Sequence, residues 1–168
     1  MEILFTRGRS LFSKLITTAT GESTSHVVVK YGNFIIHSNL KGVHVESYHT
    51  FIKNSTIVKA LAEAPEGEAS NRALKVMAAL EKYENSWYDL GALFFIGFSL
   101  FLRNYLKIPM PKSNLWNASG MFICTEFVSM AVEGKTDSMV TPLGLFYKLE
   151  QEGWREVRLN ELGQPIDL

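Results

Sequence analysis

Apolar and polar positions along this chain repeat with two different periods, and the changes from one to the other mark its elements. Ile3-Leu-Phe5 opens with a strand signal. Ser10 then stands as a cap residue before Leu11–Thr18, where Leu11, Phe12, Leu15 and Ile16 recur at helical spacing and are expected to form a buried stripe. Thr20–Ser25 is polar and reads as a loop. His26–Tyr31 is rich in β-branched residues, Gly32-Asn33 follows, and Phe34–Ser38 is apolar again, which together predict a tight β-hairpin. Val43–Val45, after Lys41-Gly42, extends the hairpin into a meander. Tyr48–Lys53 predicts a short helix and Thr56–Leu61 another strand. Ala64–Ser70, with a proline and a glycine, predicts a loop, and Asn71–Tyr83 sets Leu74, Met77, Ala78 and Leu80 at helical spacing.

The densest apolar segment is Leu90–Leu102, entered through Trp87-Tyr88-Asp89. It falls short of the ~20 residues that cross a bilayer as a helix. A buried core helix is the favoured reading, with an interfacial membrane helix as its alternative. Lys107–Asn117, carrying Pro109 and Pro111, predicts a connecting loop. Beyond it, Phe127, Val128, Ala131 and Val132 share one helix face that Gly134 ends, so Cys124 falls in the first turn of that helix. Thr141-Pro142 is a cap followed by proline at the first helical position, and that helix should run to about Gln151 and stop at Gly153. Trp154–Leu159 predicts a final strand. The pattern predicts one α+β domain over residues 1–168, with an antiparallel sheet of four to six strands packed against helices.

Composition adds exclusions. Lysine plus arginine equals aspartate plus glutamate, 17 each, so no global field attracts nucleic acid, and none is expected as a partner. A single cysteine, Cys124, permits neither an intramolecular disulfide nor a paired-cysteine metal site. Charges at Glu2, Arg7 and Arg9 interrupt any apolar signal region, so no secretory signal is expected.

Cys124 has two readings. Free cysteine is often a small buried hydrophobe. At a helix start, however, unsatisfied N–H groups and the helix dipole favour a thiolate. Thiol catalysis also needs an imidazole to exchange the proton and a group that orients the imidazole. His26 opens the first hairpin strand and His37 ends the second, so both lie at one edge of the sheet and can be cross-strand neighbours. A half-buried structural pair is the plainer alternative. His44 and His49 have no evident partner and read as surface residues.

Ser25-His-Val-Val-Val-Lys-Tyr-Gly-Asn-Phe-Ile-Ile-His-Ser38, followed by Gly42-Val-His-Val45, resembles the histidine hairpin of NlpC-type papain-like cysteine hydrolases. The cysteine follows the histidines, as in the circularly permuted branch of that family. Ile3-Leu-Phe5, Tyr88-Asp89, Cys124-Thr-Glu-Phe127 and Thr141-Pro142 occur in the order that branch shows, covering nearly the whole chain. Thr125 stands where the branch often has serine, and His37 where it often has glutamate.

The resemblance implies a permuted papain-like fold and a Cys124–His26–His37 triad: nucleophile, general base and orienting group. A thiolate–imidazolium pair is then expected near pH ~6, with the backbone N–H of Cys124 as the first oxyanion donor. Tyr88 and Asp89 are candidates for the cleft wall, Asp89 equally for a helix cap, and Glu126 is read as structural. Neither a cofactor nor a metal is implied. The implied activity is amide hydrolysis of a peptide or peptidoglycan stem peptide through an acyl-enzyme, in a cytoplasmic or phage-encoded protein. One alternative is an acyl-lipid thioesterase, lipase or acyltransferase resembling lecithin–retinol acyltransferase, with Leu90–Leu102 as acyl pocket or peripheral membrane contact. Another is a binding module without turnover.

Overall fold

Strand β1 (Glu2–Gly8) lies inside the sheet because Ile3, Leu4 and Phe5 are apolar on consecutive positions and so can be buried on both faces. The computed structural model describes residues 1–63, 69–84, 86–109, 111, 121, 123–136, 139–160 and 165–166. After β1 come α1 (Leu11–Thr20), β2 (His26–Tyr31), β3 (Phe34–Asn39), β4 (Gly42–Ser47), α2 (Tyr48–Asn54) and β5 (Ser55–Ala62). Helices α3 (Ala69–Tyr83), α4 (Leu90–Leu106), α5 (Cys124–Glu133) and α6 (Pro142–Gln151) follow, then β6 (Arg155–Leu159) and the two-residue β7 (Pro165–Ile166). The order across the sheet is β4-β3-β2-β1-β5-β6-β7, with every neighbouring pair antiparallel. The architecture is α+β, as the hydrophobic pattern predicts.

The two faces of the sheet differ. Ile3, Phe5, Val27, Val29 and Leu61 pack against α3, α5 and α6, where Phe127, Val128, Leu145 and Phe146 fill the space. Phe5 and Phe146 meet edge to face at 5.2 Å. Leu4, Val28 and Ile35 point the other way, against Tyr48 and Phe51 of the short helix α2. This second face is only partly covered, and the open remainder becomes the cleft described below.

Local chemistry sets the ends of the helices. Ser10 accepts from Ser13 N–H at the start of α1, and Gly21 ends it with φ 71°. Thr141 accepts from Gly144 N–H at 3.1 Å to open α6, with Pro142 in the first turn. Glu22 accepts from the Thr141 hydroxyl and from Leu143 N–H, tying the loop before β2 to α6. All four residues of the predicted α5 stripe are buried, and Gly134 ends that helix at φ 76°.

Two expectations about helix faces, for α1 and α4, need correction, and α3 buries a face other than its apolar spacing suggests. In α1 the buried side chain is Ser13, paired with the Ser25 hydroxyl, while Leu11 and Leu15 are 78% and 67% exposed. In α3 the buried residues include Val76 and Ala79, whereas Leu74 and Met77 face out. Helix α4 is not a core helix. Ala92, Ile96 and Leu100 pack with Phe12 of α1 and Ile123, but Phe94 and Phe98 are 66% and 50% exposed. Apolar residues surround α4 on every side, so periodicity could not select the buried face. Within the two predicted loops, residues 64–68, 110 and 112–117 lie outside the described residues; Ala69 and Ser70 belong to α3. Among the described residues, no helix is long and apolar enough to cross a membrane.

These assignments predict opposite outcomes for two apolar truncations. Phe127→Ala removes a side chain with no exposure and should cost about 3–5 kcal/mol. Leu15→Ala should stay within about 0.5 kcal/mol of the parent. Urea unfolding reads both, and a large loss for Leu15→Ala would restore the buried-stripe reading of α1.

Candidate active site

The β2–β3 register pairs Val29 with Ile36 and Lys30 with Ile35, which sets His37 diagonal to His26 on one face of the sheet. Their rings meet with His26 Nε2 2.8 Å from His37 Nδ1. The sequence-level juxtaposition of these two histidines is therefore present. Phe51 of α2 closes over them, edge-on to the His37 ring at 5.6 Å.

Two further residues join this pair. His44 is directly opposite His37 in the β3–β4 ladder, and the two Nε2 atoms are 3.2 Å apart. Glu46 lies two residues along the same strand face, with Oε1 3.0 Å from His37 Nε2. His44 Nδ1 contacts the Gly42 carbonyl at 2.9 Å. Reading His44 as a surface residue is thus incorrect, although His49 is exposed. The missed signal was the spacing His44-x-Glu46 on the strand that pairs with the strand of His37.

The acceptors assign the protons of the neutral cluster. A carbonyl only accepts, so His44 carries its proton on Nδ1 and leaves Nε2 as an acceptor. A carboxylate only accepts, so His37 carries its proton on Nε2, shared toward Glu46 and His44. His37 Nδ1 must then accept, and His26 Nε2–H donates to it. Nδ1 of His26 is left with a lone pair and makes no hydrogen bond among the described residues.

Cys124 is the first residue of α5 and is only 5% exposed. The backbone amides of Val27, Thr125 and Cys124 itself act on the thiol in the direction that lowers its pKa. The Val27 amide adjoins His26, so the thiol lies next to the histidine cluster in the chain path. Among the described residues, no hydrogen bond joins the sulfur to either imidazole. Strand alternation supplies the reason: Cys124 packs with Val27, while the His26 ring leaves the opposite face toward Phe51.

Electrostatics follow burial. Desolvation pushes the Cys124 thiol up to about 11, with Glu126 adding to the rise and the three amides opposing it. Burial, then repulsion from His44, takes His26 down to about 4. Burial takes His37 down to about 2, followed by His26, His44 and Lys41. Burial therefore favours the neutral forms of the Cys124 thiol and of the His26 and His37 imidazoles, and works against the thiolate–imidazolium pair expected from sequence.

A cleft of about 640 Å³ opens over the cluster, lined by His26, His37, His44, Glu46 and Tyr88 together with residues of α1. Cys124 is buried and is not among the residues that line this cleft. Burial raises the Tyr88 phenol well above its ordinary range, with Cys124, Glu126 and Asp89 contributing in that order. Asp89 caps α4, accepting Ala92 N–H at 2.7 Å. Glu126 accepts Ile123 N–H at 3.1 Å, a structural bond at the start of α5. No protein-family model matches the chain, and a search of curated proteins finds no match to it.

Two imidazoles whose charged forms the folded protein disfavours, His26 half-buried and His37 buried, make stability depend on pH. His26 and His37 titrate lower in the folded chain than the ordinary ~6.5, so the unfolded chain binds more protons below that pH. Their contribution is fully present above pH ~6.5 and is lost as pH falls, through about 4 for His26 and about 2 for His37. The melting temperature should therefore fall across that interval, and less steeply in His26→Gln. A melting temperature that stays level to pH ~4 would contradict the buried neutral assignment.

Proposed function

We propose that this chain is a thiol-dependent hydrolase of permuted papain-like architecture, cleaving an amide bond in a peptide or peptidoglycan stem peptide. Cys124 is the nucleophile, His26 the general base and His37 its orienting group. The observation that carries this reading is the directed chain His26–His37–Glu46, which leaves a lone pair on Nδ1 of His26, the neighbour in sequence of the Val27 that packs with Cys124.

A neutral resting site calls for base catalysis at the moment of attack. As the sulfur adds to the substrate carbonyl carbon, its proton passes to His26 Nδ1. The new imidazolium donates through Nε2 to His37, whose own Nε2–H faces the Glu46 carboxylate, so the positive charge forms next to ordered acceptors. The carbonyl oxygen becomes an oxyanion facing the Cys124 backbone N–H, with the Tyr88 hydroxyl as the second donor candidate. Collapse of the tetrahedral intermediate breaks the C–N bond as His26 returns its proton to the amine. Water, deprotonated by His26, then attacks the thioester and releases acid and free thiol. The sulfur must come within reach of Nδ1 in the substrate complex, and such contacts tighten only there in many enzymes.

A second reading keeps this chemistry and changes the substrate to an acyl lipid. It is favoured by the exposed face of α4, where the Phe94 and Phe98 rings stack at 6.4 Å, and by exposed Leu11 and Leu15 on α1, which packs on α4.

Single-turnover acylation by an activated ester, followed by intact mass, tests the roles. An acyl adduct should form on the parent and be absent from Cys124→Ala. His26→Ala should lose rate by about 10²–10⁴, as removal of a general base does. His37→Ala should retain residual activity, and His37→Glu should recover part of the loss, since its carboxylate can accept from His26. Equal loss in His26→Ala and His37→Ala, with no recovery by glutamate, would overturn the assigned roles. Comparing a peptide amide with a long-chain acyl thioester on lipid vesicles then separates the two substrate classes.

A further inference from the structure

The cluster that orients His26 has a second property that a proton relay does not require. Three side chains bring ligand atoms together: His37, His44 and Glu46 each offer one, and these three atoms lie within 4.8 Å of one another. Two of the separations are 3.2 and 3.0 Å. Ligands bound to zinc at ~2.0–2.1 Å in a tetrahedron are separated by ~3.3–3.4 Å, so these atoms need only a small expansion to accept an ion. Each imidazole is also anchored through its other nitrogen: His37 Nδ1 by His26 at 2.8 Å and His44 Nδ1 by the Gly42 carbonyl at 2.9 Å. That outer-shell anchoring is how metal-binding histidines are held in orientation. The strands provide the frame, because His37 and His44 are opposed in the ladder and Glu46 is two residues on. All three residues line the cleft, which leaves a fourth position open toward it.

We propose that His37, His44 and Glu46 form a binding site for one divalent transition-metal ion of the zinc class, and that occupancy switches off His26 as a base. Two imidazoles and one carboxylate suit such borderline ions better than calcium or magnesium, which prefer all-oxygen shells. The site itself stands on the geometry alone; the switch rests on the catalytic reading given above. Its logic is a proton count. A metal on His37 Nε2 displaces that proton to Nδ1, where it donates to His26 Nε2. The His26 proton moves in turn from Nε2 to Nδ1. No proton leaves the pair, but the lone pair that would take the thiol proton is replaced by an N–H.

Cobalt(II) reports on the site directly. Titration of the full chain with Co²⁺ should produce visible d–d absorption in the parent and in Cys124→Ala, with no thiolate-to-cobalt charge-transfer band. Affinity should fall by at least the ~10–100-fold that loss of an outer-shell partner costs in both His44→Ala and Glu46→Gln, with His44→Gln as a second variant if the alanine change unfolds the hairpin. Absent d–d absorption, or binding unchanged in these variants, overturns the site; loss of binding in Cys124→Ala assigns the ion to the thiol and also overturns it. Zn²⁺ should slow single-turnover acylation of the parent, with recovery on chelation, and leave the rate of His44→Ala unaffected. Acylation that proceeds undiminished with the site filled overturns the switch and leaves the catalytic reading intact. Metal binding without acylation, with or without chelator, overturns both the switch and the catalytic reading and leaves the site standing.

Discussion

A carboxylate accepts hydrogen bonds and never donates them, and that restriction runs from Glu46 through three histidines. Glu46 fixes the proton on His37 Nε2, His37 then has to accept at Nδ1, and His26 has to donate from Nε2. The Gly42 carbonyl performs the same service for His44. Without Glu46 the chain could run in either direction, and a base and a hydrogen-bond donor would alternate at His26 Nδ1. The β2-β3-β4 meander sets this order, because antiparallel register brings side chains distant in sequence to one face at fixed spacing.

Most of the fold was legible because its boundaries are chemical. Ser10, Asp89 and Thr141 cap helices through their own side chains, and Gly21 and Gly134 end them with left-handed backbone. Burial was less legible where apolar residues exceed what one face needs. Leu11 and Leu15 follow helical spacing as well as Phe12 and Ile16 do, yet α1 packs through Ser13 and leaves the leucines outside. In α4, Ile96 and Phe94 are equally apolar, and only the position of α1 decides which is covered. Periodicity locates a helix, and its neighbour selects the face.

The site divides along similar lines. His26 and His37 could be paired from sequence because one tight turn joins their strands, which makes their separation a local matter. His44 and Glu46 needed the β3–β4 register, and an isolated histidine on a short third strand carries no sign of what lies opposite. The position of Cys124 at a helix start was legible, but its protonation was not. Helix dipole and amide hydrogen bonds lower a thiol pKa, whereas burial raises it, and in this protein burial prevails. For the proposed hydrolase this would place loss of the sulfur proton during attack and not before it.

The direction of the hydrogen-bond chain is the central claim, and imidazole nitrogen NMR reads it without any substrate. Long-range ¹H–¹⁵N correlation spectra of the neutral protein should show His26 and His37 protonated on Nε2 and His44 on Nδ1. Glu46→Gln, whose amide can donate as well as accept, should weaken that preference first at His37 and then at His26. A parent protein with the His26 proton on Nδ1 would contradict the account, because the lone pair that the proposed base needs would not exist.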